Sequence, residues 1–171
     1  MTGNLGTFDN ATPARSIAPM RGSVRVRRAT QADIGWLLVQ LQEFAAWYGT
    51  SRSLFGDVRH AEALVGTLIE TQFVAIAETD DGRVGLIAGA CAPHVFNPDM
   101  QVATELWWWV TPPARGTRAG ALLLDAFETW ADDSGANLVN FTLEAQSPVA
   151  ERTLEKRGYR LMEKQFVREV S

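Results

Sequence analysis

A single α/β (α+β) domain, with a mixed central sheet of about six to seven strands and about four flanking helices, is predicted by three observations. Apolar residues alternate in some stretches and recur at helical spacing in others, giving the order β-α-α-β-β-β-α-β-α-β. Asp81-Gly82 separates two apolar runs, a strong hairpin signal. With 171 residues, 46% of them hydrophobic and 21% charged, the chain is long enough for one sizeable core and short for two.

Residues 1–22, rich in glycine, proline and polar side chains, are read as a flexible arm preceding a domain over 23–171. The domain opens with "SVRVRRA", where Val24 and Val26 alternate with arginines as in a half-buried strand. Thr30 is placed to cap a helix, with Asp33 as capping-box acid, and Ile34, Leu37, Leu38, Leu41, Phe44, Ala45 and Tyr48 follow at helical spacing. The polar connection "TSRSLFGD" leads to a second helical stripe, Val58, Ala61, Leu64, Val65, Leu68 and Ile69. "FVAIAET" and "VGLIAGACA" form the hairpin, "PHVFNPDMQ" reads as a loop, and "VATELWWWV" is a strand rich in aromatics. Pro112 and Pro113 end that strand because they cannot donate to a ladder. Ala119, Leu122, Leu123, Ala126, Phe127 and Trp130 then mark a helix that stops at Ser134-Gly135. "NLVNFTLEA" is read as a strand, "PVAERTLEKRG" as a short helix and "YRLMEKQFVREV" as a final strand or strand pair.

The formal charge of -4 speaks against a general nucleic-acid binder, and no apolar run approaches the ~20 residues of a membrane span. The lone Cys91 offers neither an internal disulfide nor a metal cluster, which fits a reducing, cytoplasmic setting with no metal and no membrane partner. Chemistry is suggested instead by "VTPPARGTRAG". A strand feeding a tight basic turn that opens a helix leaves helical N–H groups free, and these with the helix dipole favour an anion. Gly116 and Gly120 allow close approach of the backbone, while Arg115 and Arg118 add charge for a phosphate. The stretch is neither a P-loop nor a dinucleotide fingerprint, and an ordinary turn with solvated arginines is the alternative.

These residues resemble the acetyl-CoA loop of GNAT-type N-acetyltransferases, in which Gln/Arg-x-x-Gly-x-Gly/Ala follows a strand ending in valine. Arg115, Gly116, Thr117, Arg118, Ala119 and Gly120 occupy the six positions, with Arg118 standing where glycine is usual. The "RGTRA" variant, the tryptophan strand and "PHVF" are similar to a phage and metagenomic branch of that superfamily. A second matching segment is "SPVAERTLEKRGY", where Ala150, Lys156, Gly158 and Tyr159 align and Ser147, Thr153 and Leu154 replace the usual Asn, Leu and Tyr. The resemblance covers about Val24 to Val170.

It implies transfer of an acetyl group from acetyl-CoA, used as co-substrate, to a primary amine of a small molecule or peptide. On that basis Trp109, Val110, Arg115, Gly116, Thr117, Arg118, Ala119, Gly120 and Ser147 are the expected cofactor contacts. Glu105 is the candidate general base, on a strand face it shares by alternation with Trp107 and Trp109; an ordinary strand glutamate is the alternative. Tyr159 is the candidate acid in place of the tyrosine replaced by Leu154, or else a packing residue. Trp107 and His94 are candidates for the acceptor pocket, against core packing for the one and turn stabilisation for the other. Dimers are common in the resembled family, so a homodimer is an expectation. Two rivals remain: a non-catalytic acyl-CoA-binding or regulatory module, and an interaction protein with exposed tryptophans.

Overall fold

A computed structural model describes residues 23–48, 55–149 and 151–169. The predicted arm therefore lies outside the described residues. The elements run β1 (Arg25–Arg28), α1 (Ile34–Trp47), α2 (Val58–Thr71), β2 (Phe73–Thr79), β3 (Gly82–His94), β4 (Asn97–Val110), α3 (Ala119–Asp133), β5 (Leu138–Asn140) and α4 (Glu151–Glu155), with short 3-10 turns at Gln31–Asp33 and Pro112–Ala114. Five strands lie side by side in chain order, all antiparallel except β4 and β5, which run parallel because α3 carries the chain back across the sheet.

The alternation of β2 sorts the core into two layers. Phe73, Ala75 and Ala77 face α3 and pack with Ile87, Leu123 and Phe127, while Val74 and Ile76 face α1 and α2 and pack with Leu37, Leu41, Val65 and Leu68. Two glycines let α3 settle closely on β3. A Cβ on Gly89 would sit 2.4 Å from the Phe127 ring, and one on Gly85 would meet Leu123 at 3.1 Å. The hairpin turn uses Gly82 at φ 129°, a conformation that favours glycine.

The expected capping box forms and acquires a second task. Asp33 accepts the Thr30 N–H at 2.9 Å, and its carboxylate also meets Arg27 at 2.8 Å and Arg83 at 2.9 Å. The side chain is almost fully buried, and the hydrogen bond from Arg27 holds its pKa well below the usual carboxylate range.

Three readings require correction. "PHVFNPDMQ" is not a loop: β3 and β4 continue through it, pairing Pro93 with Gln101 and His94 with Asn97, and only Val95 and Phe96 form the tip. This extension projects beyond the core, where a polar, proline-containing ladder has exposed edges to accommodate it. β5 stops at Asn140 rather than running through "FTLEA". Among the described residues, Tyr159 to Glu169 form no strand, so the sheet has five strands rather than six or seven. Leu161-Met162 and Phe166-Val167 are consecutive apolar pairs that present no single face to bury, and all four are exposed.

Candidate active site

The site begins where β4 loses β5 and its register with β3 shifts. Pairing with β5 runs Val102–Leu138, Ala103–Val139 and Thr104–Asn140, then ends. On the opposite edge the register passes from Gly89–Glu105 to Ala88–Trp107, leaving Leu106 as the extra residue of a β-bulge. The bulge lies beside Gly89, where the close approach of Phe127 and Trp130 to the strand excludes a side chain. It also breaks the expected alternation. Trp107 and Trp109 pack on the α1–α2 layer, whereas Glu105 opposes Gly89, whose α3 side is closed by Phe127 and Trp130. Glu105 thus stands at a kink, in the opening between β4 and β5.

Its carboxyl group is 7% exposed and accepts a single long hydrogen bond, 3.4 Å from the Thr142 N–H. Burial pushes its pKa up to about 8, the nearby charge of Glu144 adds to the rise, and the Thr142 bond opposes it. A carboxyl group tuned this way gives up its proton around pH 8 and acts as a strong general base once it has done so.

Two cavities meet at this point. One, of about 520 Å³, lies between the α1–α2 layer and β4 and is walled by Phe44, Tyr48, Phe55, Leu64 and Trp107. Its acidic groups are Asp57, Glu105 and Glu144, His60 lines it from α2, and no lysine or arginine among the described residues does. The other, of about 510 Å³, lies between the end of β4, the 3-10 turn, the start of α3 and the segment around Ser147. Phe44, Glu105, Thr142 and Glu144 border both.

The second cavity is built for an anion along one wall. Gly116, at φ 81°, turns the chain so that the first residues of α3, Gly120 and Ala121, line it. First-turn N–H groups of a helix have no partner within the helix, and they carry the positive end of its dipole. The Arg115 guanidinium stacks 4.6 Å from the Trp109 ring, and its Nε donates to the Val110 carbonyl at 3.2 Å, fixing a cation at the mouth. Gly120 also has a packing reason: a Cβ there would meet the Trp108 ring at 3.3 Å. The Trp108 Nε1, next to that ring edge, is a buried donor without a partner among the described residues. Free N–H donors, a held arginine and a long cleft ending at Glu105 fit a phosphate-bearing thioester.

The expected residues divide. Trp109, Val110, Arg115, Gly116, Thr117, Gly120 and Ser147 line the second cavity. Arg118 caps α3 and lines neither cavity, and Ala119 is core. Trp107 lines the first cavity with Glu105. His94 lines neither: Asn97, its partner across the hairpin, is on the order of 25 Å along β4 from Glu105 at ~3.3 Å per residue, and His94 Nδ1 accepts the Phe96 N–H in the turn. Tyr159 packs edge-on against Phe141 at 6.1 Å and lines neither cavity; burial of its hydroxyl raises its pKa and the charge of Glu128 adds to the rise. Leu154 faces the core, leaving Thr153 and Arg157 to line the second cavity from α4 and the turn that follows it. Sequence reading missed Glu144, whereas Tyr48 and Phe55 lie in the aromatic connection "WYGTSRSLFGD" that is expected from the sequence to line the acceptor site.

A sheet that opens between two parallel strands, above a glycine-bearing helix start, has the architecture of the GNAT acetyltransferases. Residues 35–159 match the profile of the Acetyltransferase (GNAT) family, and the chain belongs to that family. No curated relative matches the sequence. Among solved structures it resembles a transcriptional regulator from Bacillus halodurans (18% identity, TM-score 0.70, 86% of this chain and 100% of that one). It also resembles a predicted acetyltransferase from Clostridium acetobutylicum with acetyl-CoA (14%, TM-score 0.70, 86% and 96%). A third is an aminoglycoside N-acetyltransferase in complex with CoA (11%, TM-score 0.68, 90% and 98%). At these identities the likeness is one of fold. No helix among the described residues is long and apolar enough to cross a membrane.

Proposed function

We propose that the protein is an acetyl-CoA-dependent N-acetyltransferase that moves the acetyl group directly to a primary amine. The observation that carries this reading is Glu105, buried at the junction of an acidic cavity and a cavity lined by a helix N-terminus. Acetyl-CoA supplies the acyl group as a thioester, whose C–S bond breaks as the N–C bond to the acceptor forms. Gly116, Thr117, Gly120 and Ala121 hold the phosphates, Arg115 adds charge at the mouth, and the unpaired edge of β4 beyond Thr104 orients the chain between them. Glu105 takes the proton that the attacking amine must lose, and Glu144 helps to draw the ammonium in before that loss. Two protons leave the ammonium over the cycle: one reaches the departing thiolate, from Glu105 or through solvent, and the other is released to solvent, so protons balance.

Ala121→Glu tests the cofactor half of the reading. Ala121 is exposed in the first turn of α3, where a carboxylate favours the helix and repels phosphate. The expected result is an unchanged or slightly raised melting temperature with acetyl-CoA affinity, by calorimetric titration, down about 30-fold or more. Unchanged affinity would refute the assignment.

A second reading, a non-catalytic acyl-CoA-binding or regulatory module, is favoured by one observation: Leu154, in the position of the usual tyrosine, is core. Acetyl transfer to any simple amine excludes it. The narrower kinship with phage and metagenomic members is proposed on "RGTRA" and "PHVF".

A further inference from the structure

The composition of the first cavity narrows the acceptor, an inference that rests on the proposed transferase reading. Its walls come from α1, the segment before α2, α2, the bulged part of β4 and the segment after β5, so it is a half-open cleft lined on several sides. Phe44, Tyr48, Phe55 and Trp107 supply aromatic surface, and Leu41, Leu64 and Val65 supply aliphatic surface. Phe44 is held edge-on to Tyr48 at 6.2 Å and to Trp109 at 5.9 Å, so this part of the wall is packed by neighbours. Against that apolar surface stand three carboxylates. Glu105 is 7% exposed and its hydrogen bond from Thr142 is long, so its carboxyl group can take a further partner from the cavity. No guanidinium or ammonium among the described lining residues could receive a phosphate, sulfate or carboxylate.

We infer that the acceptor is a hydrophobic, aromatic-bodied primary amine without an anionic group: its ring lies against Phe44 and Trp107 while its amine reaches Glu105 and Glu144. An α-amino acid or a phosphosugar is disfavoured, because among the described lining residues its anion would meet Asp57 and Glu144 with no lysine or arginine to offset them and His60 as the one imidazole. A polyamine satisfies the acids but leaves the aromatic wall unused.

Matched pairs that differ by one carboxylate isolate the point: 2-phenylethylamine against L-phenylalanine, and tryptamine against L-tryptophan, with spermidine as a purely cationic control. Each is titrated into CoA-saturated protein, with binding read from tryptophan fluorescence, and each is then assayed with acetyl-CoA by thiol release. The expected result is tighter binding and a kcat/KM at least about 30-fold higher for the amine of each pair, with spermidine below both amines. Ala61→Arg, on the partly exposed wall of α2, adds the missing cation and should shrink that preference about tenfold or more while leaving CoA affinity unchanged. Equal or reversed preference within the pairs, in binding or in turnover, overturns the inference and leaves the transferase standing. So does failure of both aromatic amines to bind protein that does bind CoA. Failure to bind CoA itself removes the transferase reading, and the inference with it.

Discussion

The two cavities that meet at Glu105 have nearly the same volume, about 520 and 510 Å³, yet they are built from opposite materials. The chamber under α1 and α2 presents aromatic rings and carboxylates from side chains, whereas the cleft at the start of α3 presents backbone N–H groups, a helix dipole and Arg115. One is shaped by what the side chains are, the other by where the backbone ends. The difference lets a single strand, β4, border an acidic, aromatic cavity on one side and a cavity lined by a helix start on the other, with a titratable group between them.

The sharpest way to break this comparison is to remove the group at the junction. Glu105→Gln should lower the transfer rate by about 10²–10⁴-fold while acetyl-CoA affinity stays within twofold or so, because the anion cleft does not depend on that charge. The same substitution should raise stability at pH 8. Glu105 has a folded pKa of about 8, above its unfolded value, so from pH 4.5 upward the unfolded chain binds fewer protons and stability is lost as pH rises toward 8. Glutamine removes that loss, on the order of 2 kcal/mol, measurable by urea denaturation.

Next in size is Gly89→Ala. A methyl group 2.4 Å from Phe127 must displace α3 or the bulged part of β4, so unfolding free energy should fall by about 3 kcal/mol and acetyl transfer should suffer with it. Ala121→Glu attacks the anion cleft alone, with the affinity loss described above. Asp33→Asn provides the contrast, far from either cavity. It breaks the bonds to Arg27 and Arg83 and should cost about 2 kcal/mol of stability with kcat unchanged. Asp33 has a depressed folded pKa, so its contribution is complete above the unfolded value near 4 and is lost as pH falls below that, which acid titration of wild type and variant would reveal. The smallest effect belongs to Glu144→Gln. Its charge raises the Glu105 pKa, so its removal should shift the rising limb of the pH–rate profile to lower pH.

Much of the fold was legible because local patterns and tertiary packing agree: the Asp81-Gly82 hairpin, the Thr30–Asp33 cap and the apolar stripe of α3 all form as expected. The turn and helix start that line the second cavity were legible for the same reason, since both are local. The chamber was legible only in part: the aromatic connection holding Tyr48 and Phe55 was expected to line it, but Glu144 reaches it because β5 leaves β4 after Asn140, which no local pattern announces. The bulge that displaces Glu105 from simple alternation arises from Gly89 under Phe127, although an isolated glycine in a strand is itself a signal of such a kink. His94 was misplaced because a polar, proline-bearing stretch reads as a loop when it is in fact strand beyond the core.

The most direct measurement is the pH–rate profile of acetyl transfer from saturating acetyl-CoA to 2-phenylethylamine, compared between wild type and Glu105→Gln from pH 6 to about 9.5. The account predicts a wild-type rate that rises with a midpoint near 8 and a variant that is at least about 100-fold slower and lacks that inflection. A variant that keeps both the wild-type rate and its profile would show that Glu105 is a spectator and that the amine loses its proton elsewhere.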